Sequence, residues 1–160
     1  MLYGLGLGSS LGDRENSLRL AVACVGSHPK LAVERVSRIY ETPALKNLAQ
    51  GRFLNAAIAV NWAGTPPELL QWVKRCEERM GRVESSRWGD RVIDIDLLWS
   101  AGGLVETESL HLPHRELLNR NFAIWPLLEV IPWAAGASGV PYRQRLGELR
   151  APAAVGVLAG

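Results

Sequence analysis

Two aspartates, Asp94 and Asp96, stand one residue apart in a stretch that reads Arg87-Trp88-Gly89-Asp90-Arg91-Val92-Ile93-Asp94-Ile95-Asp96-Leu97-Leu98. Its second half alternates with the period of a strand. Ile93, Ile95 and Leu97 therefore share one face, and Val92, Asp94, Asp96 and Leu98 share the other. With the apolar row toward a core, the two carboxylates lie side by side, roughly 6.6 Å apart along the backbone. At an effective dielectric of about 20 they repel by roughly 2–3 kcal/mol. Asp is depleted in strands, and the chain has only four. Such a pair needs a positive partner. A magnesium ion, or two ions about 3.5–4 Å apart, suits adjacent hard oxygen ligands.

The flanking residues supply the other half of a phosphoryl-transfer site. Arg82, Arg87 and Arg91 precede the aspartates in a polar, glycine-containing segment, and guanidinium groups match phosphate oxygens bidentately. Carboxylates for a metal beside arginines for phosphates are the parts such chemistry requires. Two other readings stay open on spacing alone. The aspartates could line the watered face of an antiparallel sheet and pair with the arginines as surface ions. Alternatively, the five arginines from Arg75 to Arg91 could track a nucleic-acid backbone while Trp88 stacks a base; this gives the aspartates no purpose.

At 160 residues the chain fits one domain, 1–160, able to bury roughly 70% of its unfolded surface. Its 48% hydrophobic content excludes a disordered chain, and a net charge of +2 argues against a general nucleic-acid binder. Cys24 and Cys76 show no metal-ligand spacing and read as reduced core thiols. Neither a leader pattern nor an apolar run long enough to cross a bilayer is present. The expectation is a cytoplasmic monomer with no membrane or nucleic-acid partner.

The elements that must position the pair follow from patterning. Tyr3 to Gly8 alternates leucine with glycine, giving a strand whose glycine face is open. Ser10 and Asp13 have capping-box spacing before a helix from Asp13 to Ser27 that buries Leu18, Val22 and Val25. Leu31 to Thr42 reads as one strand stopped by Pro43, and Phe53 to Trp62 as its partner. Pro66-Pro67 opens a second helix, with Leu69, Leu70, Val73, Cys76 and Met80 at helical spacing, ending at Gly81. A strand from Val92 to Leu98 follows, then a short one at Leu104 to Glu106, and short helices near Arg115 to Asn119 and Pro126 to Ile131. Ala151 to Gly160 reads as a fraying tail. This order predicts an α+β fold: a ferredoxin-like β-α-β-β-α-β core, an antiparallel sheet with helices packed on it, plus a C-terminal extension. Neither a P-loop nor a dinucleotide fingerprint occurs, so a nucleotide would be held by side chains and metal.

With the order in hand, the motifs resemble the 6-hydroxymethyl-7,8-dihydropterin pyrophosphokinase family, from Gly8-Ser9-Ser10 to about Pro132. The most specific block is Arg87 to Leu98. Supporting blocks are Tyr40-Glu41-Thr42-Pro43, Phe53-Leu54-Asn55-Ala56, Glu77 with Gly81-Arg82, Pro113-His114 with Arg120 and Phe122, and Pro126-Leu127 with Glu129 and Pro132. The resemblance implies transfer of pyrophosphate from ATP to the pterin alcohol, with AMP leaving, in folate biosynthesis. It implies that Asp94 and Asp96 hold two magnesium ions and that Arg82 and Arg91 clamp phosphates as catalytic residues. Glu77, Trp88, His114 and Arg120 would join them around ATP. Phe53 and Phe122 would sandwich the pterin, Asn55 would read its amino-pyrimidinone edge, and Thr42, Pro43 and Leu45 would border its pocket. The chain departs from the family pattern at Ser10, usually Asn, and at Asp90, usually Pro; these positions bear on ATP affinity more than on reaction type.

Overall fold

The computed structural model describes residues 1–42, 53–81, 92–148 and 151–158. The central strand β1 (Leu2–Ser9) pairs antiparallel with β4 (Phe53–Trp62) on one side and with β5 (Asp94–Ser100) on the other. Beyond β4 lie β2 (Leu31–Val36) and β3 (Arg38–Thr42), and β8 (Ala153–Val157) adds to the far edge of β3. The path is β5-β1-β4-β3-β8, with β2 also on β4. This is a mixed α/β fold on an antiparallel sheet.

Alternation divides the sheet into two faces with different tasks. Tyr3, Leu5 and Leu7 of β1, the even residues of β4 from Leu54 to Trp62, and Ile93, Ile95 and Leu97 form one apolar face. The helices α1 (Arg14–Val25) and α2 (Pro66–Arg79) close it with Leu18, Ala21, Val25, Leu69, Trp72, Val73 and Cys76. Each helix begins where its cap dictates. Thr65 and Glu68 form a reciprocal capping box before Pro66. At α1 the expected Ser10–Asp13 box does not form: Asp13 is itself the N-cap, its carboxylate accepting from Asn16 N at 3.1 Å. The turn at Gly12, φ +71°, delays helix entry beyond the reach of Ser10.

The opposite face carries Gly4, Gly6 and Gly8, with Ala57 and Ala59 of β4 beside them. Helix α3 (Asn121–Val130) packs there through Ile124, Leu127, Leu128 and Val130. It can approach because Gly4 has no side chain: a Cβ there would lie 2.3 Å from Leu127 Cδ1. A bulge in β5 between the Gly4 and Leu5 positions of its partner lets both Leu98 and Trp99 join this second core.

Three further expectations are corrected. Leu31 to Thr42 is two strands, because the chain bends at buried Ser37. Ser37 N donates to Ala57 O at 2.9 Å and Ser37 Oγ accepts from Ala57 N at 2.8 Å, so the bend keeps its bonds to β4. The last helix starts at Asn121 instead of Pro126; tertiary burial outweighs the missing N–H of Pro126 inside it. The tail supplies β8, whose ladder to β3 and buried Leu158 anchor it. A strand β7 (His111–Leu112) pairs with β6 (Val105–Glu106), closed by Thr107 accepting from Leu110 N at 3.0 Å. Among the described residues no helix is long and apolar enough to cross a membrane.

The contact at Gly4 is directly testable. Gly4→Ala is expected to lower unfolding stability by about 1–3 kcal/mol, because fully buried Leu127 would have to shift to admit the new methyl. A chemical-denaturation midpoint equal to or above that of the unsubstituted chain would contradict this packing.

Candidate active site

On β1, helix α3 packs against the Gly4 end of the face. At the other end the register aligns Asp94 with Gly8, Gly8 with Asn55, and Asn55 with Tyr40, in one row across β5, β1, β4 and β3. One same-face step toward Gly4, Asp96 lies opposite Gly6; one step in the other direction, Phe53 lies opposite Thr42. Strands are about 4.8 Å apart, so Gly8, which brings no side chain of its own, separates the Asp94 and Asn55 backbones by roughly 10 Å across the sheet. A Cβ on Gly8 would lie 3.3 Å from Asn55 Oδ1 and 3.8 Å from Phe53 Cδ1. The amide and the ring thus lean over the glycine. Asn55 is only 6% exposed, and a polar group so deeply placed is held in one orientation.

Asp94 and Asp96 are half-buried, on the open face, as alternation requires. The strand beneath them is pinned from the helix side. Glu77 of α2 is 3% exposed, and its Oε2 accepts the backbone N–H of Ile95, between the two aspartates, at 2.8 Å. That bond occupies the free edge of β5 and fixes the carboxylate pair from below. Among the described residues, no three or more His, Cys, Asp or Glu side chains gather as metal ligands. Two carboxylates alone fit an ion that keeps water and substrate oxygens in its remaining positions, as magnesium does.

The wall facing Asp94 comes from the segment after β7. His114 N donates to Leu98 O at 2.8 Å, docking the segment onto β5. His114 Nδ1 accepts from Glu116 N at 3.1 Å, which places the proton of the neutral ring on Nε2. Burial pushes the His114 pKa down and the charge of Arg120 lowers it further, against opposing effects of Glu116 and Asp94; His111 adds a small depression. The Arg120 guanidinium carbon lies 5.7 Å from the centroid of Phe122 at the start of α3. Phe53 and Phe122 are half-buried and belong to neither apolar core, so neither is an ordinary core aromatic.

Of the expected site residues, Asp94, Asp96, Asn55 and Phe53 thus share the Gly8 end of one face, with Thr42 on the strand beside Phe53. His114, Arg120 and Phe122 follow along one connected wall, and Glu77 lies beneath the sheet. Pro43, Leu45, Arg82, Trp88 and Arg91 lie outside the described residues. Sequence reasoning assigned no role to a network on the same face. Glu129 of α3 accepts from Arg38 N at 2.6 Å and from the Tyr40 hydroxyl, and Arg38 Nη2 donates to Tyr40 OH at 3.2 Å. The only sequence signal was that Tyr40 and Glu129 fall in two of the recognised blocks.

A family model described as 7,8-dihydro-6-hydroxymethylpterin-pyrophosphokinase matches residues 4–132. A Methylorubrum extorquens protein named 2-amino-4-hydroxy-6-hydroxymethyldihydropteridine pyrophosphokinase is 43% identical over 128 residues, 80% of this chain and 81% of that protein. A Bacillus subtilis protein of the same name is 40% identical over 126 residues, 79% of this chain and 75% of its own length. The wild-type HPPK-DHPS of Plasmodium falciparum, solved with pteroate, superposes with a TM-score of 0.70 at 14% identity. It covers 92% of this chain, which spans 42% of that longer one, and the likeness bears on fold alone.

The His114 environment fixes a sign. Its folded pKa lies below the ordinary 6.5, so the folded chain binds fewer protons than the unfolded chain as pH falls below that value. Its contribution to stability is complete above the unfolded pKa and is lost on acidification toward the folded one. An NMR titration of the His114 ring is expected to give a midpoint below 6.5, absent in His114→Gln; a midpoint at or above 6.5 would refute the buried, Arg120-facing placement.

Proposed function

Because the chain belongs to the 7,8-dihydro-6-hydroxymethylpterin-pyrophosphokinase family, we propose that it transfers the pyrophosphoryl group of ATP to the hydroxymethyl oxygen of 6-hydroxymethyl-7,8-dihydropterin and releases AMP. The observation that carries this reading is the transverse row in which Gly8 separates the Asp94 carboxylate from the Asn55 amide. A flat heterocycle on Asn55 and a polyphosphate on the aspartates can then meet over Gly8, which contributes no side chain of its own.

Each residue has a task in the proposed reaction. Asn55 offers a donor and an acceptor to the amino-pyrimidinone edge, and Phe53 and Phe122 offer aromatic faces to the ring. The family resemblance places Thr42, Pro43 and Leu45 at the border of the same pocket. Neutral His114 presents Nε2–H to phosphate oxygens, and Arg120 supplies a charge-assisted donor beside it. The resemblance assigns Arg82, Arg91 and Trp88 to the triphosphate and adenosine. Asp94 and Asp96 would hold two magnesium ions, whose charge would neutralise that building up on the transferring group. Glu77 keeps the carboxylates in register by holding Ile95. The alcohol oxygen bonds to the β-phosphorus as its bridge to the α-phosphate breaks, and the alcohol proton is released. Positioning and charge neutralisation supply most of the catalysis.

We also read the β5-β1-β4-β3 path with α1 and α2 as a ferredoxin-like core extended by β8, and the protein as a cytoplasmic monomer. Incubation with the pterin alcohol, ATP and magnesium is expected to yield AMP and diphosphorylated pterin in equal amounts. Asp94→Ala and Asp96→Ala should each cost at least about 10²–10³-fold in rate, the scale of losing a charge-stabilising group. ADP as product, or full turnover in both variants, would overturn the reading.

A further inference from the structure

One carboxylate in the fold touches both walls of the proposed pterin pocket without lining it. Glu129 lies seven residues after Phe122 on α3, so the two share a helix face about 10 Å apart along the axis. Its Oε1 accepts from Arg38 N at 2.6 Å, and its Oε2 accepts from Arg38 Nε at 3.2 Å and from the Tyr40 hydroxyl. Tyr40 is 5% exposed and stands directly opposite Asn55 in the β3–β4 ladder. Two residues on, Thr42 stands opposite Phe53. The helix that carries Phe122 is therefore tied to the strand pair that carries Asn55 and Phe53 by bonds converging on one side chain.

We infer that Glu129 and Tyr40 are positioning residues for pterin recognition: together they set the distance and angle between Phe122 and the Asn55–Phe53 wall. This rests on the proposed activity and deepens it by adding a specificity element behind the pocket. The apolar packing of α3 through Ile124, Leu127 and Leu128 is non-directional and leaves the helix free to slide by fractions of an ångström. A carboxylate receiving a backbone N–H and a phenol hydroxyl from one strand is directional, and charge-assisted bonds of this kind are about twice as strong as neutral ones. Burial pushes the Glu129 carboxyl up, but the bonds from Tyr40 and Arg38 outweigh it and hold the group below its ordinary range. Glu129 is therefore an anion at neutral pH, able to accept all three. A ring stack tolerates little sliding, whereas phosphates held by a metal ion and long side chains re-adjust, so loss of the tie should be felt by the pterin and hardly by ATP.

The test uses Tyr40→Phe and Glu129→Gln, which keep shape and remove, respectively, the hydroxyl and the charge. Binding of pterin and of magnesium-ATP is measured separately by calorimetry, alongside kcat and KM for each. Pterin affinity is expected to fall about tenfold in each variant, within the roughly hundredfold that a misplacement of about 1 Å can cost, while ATP affinity changes less than about twofold. In a Phe122→Ala background the same substitutions should lose most of their effect, because no ring is left to place. Equal losses for both ligands, unchanged pterin affinity in folded variants, or full additivity with Phe122→Ala would each overturn the inference. An unsubstituted chain that binds no pterin would instead sink the activity itself, and the inference with it.

Discussion

The absence of side chains at Gly4, Gly6 and Gly8, on one face of β1, is the constraint on which the remaining structure depends. At Gly4 that absence lets Leu127 of α3 come to a distance no Cβ would permit, and at Gly6 the same gap receives Leu98. At Gly8 the gap is filled by neither core and borders Asn55 and Phe53. A single alternating strand thus builds the second core at one end and the proposed substrate floor at the other. Any side chain there would both lift the helix and fill the site. The other face of β1, with Tyr3, Leu5 and Leu7, carries the main core, so the strand tolerates glycines that would otherwise weaken it.

Precision at the site comes from groups held by the opposite layer. The aspartate pair is a costly feature for an apo strand, since like charges at neighbouring same-face positions repel. Glu77 reaches across from α2 to the Ile95 amide and holds the strand between them, so the carboxylates cannot relieve the repulsion by twisting the edge. Asn55 and His114 are likewise fixed by burial or backbone bonds. A site prepared in this way has little reorganisation left to perform when charge develops on a transferring group.

Much of this was legible in the residues. The period-two alternation around Asp94 and Asp96 correctly put both carboxylates on the face away from the main core, and the Gly-Leu repeat correctly put Leu5 and Leu7 in that core, but the glycine face expected to be open is covered by α3 at Gly4 and by Leu98 at Gly6. Glycine and proline punctuation fixed the ends of α2. Apart from the helix entry displaced by the local turn at Gly12, the misreadings share one physical cause, long-range context. Ala153–Val157 has no marked polar–apolar alternation, and only its ladder with β3 makes it a strand. Pro126 suggested a helix start until packing of the residues before it carried the helix through. Ser37 bends one apparent strand because its hydroxyl and amide both find Ala57. In the site, the roles of Tyr40 and Glu129 could not be read at all, since 89 residues separate the bonded pair.

The central claim is that the open Gly8 end of the sheet is where metal-bound polyphosphate is held. Manganese suits the same oxygen ligands as magnesium and broadens nearby NMR resonances, an effect that falls steeply with distance. The most direct measurement titrates Mn²⁺ with a non-hydrolysable ATP analogue into isotope-labelled protein. The account predicts that the backbone signals of Gly6 to Gly8 and Asp94 to Asp96 broaden first, while those of exposed Leu20 on the far side of α1 persist. Broadening centred on the α1–α2 side, with the carboxylate strand left sharp, would contradict it.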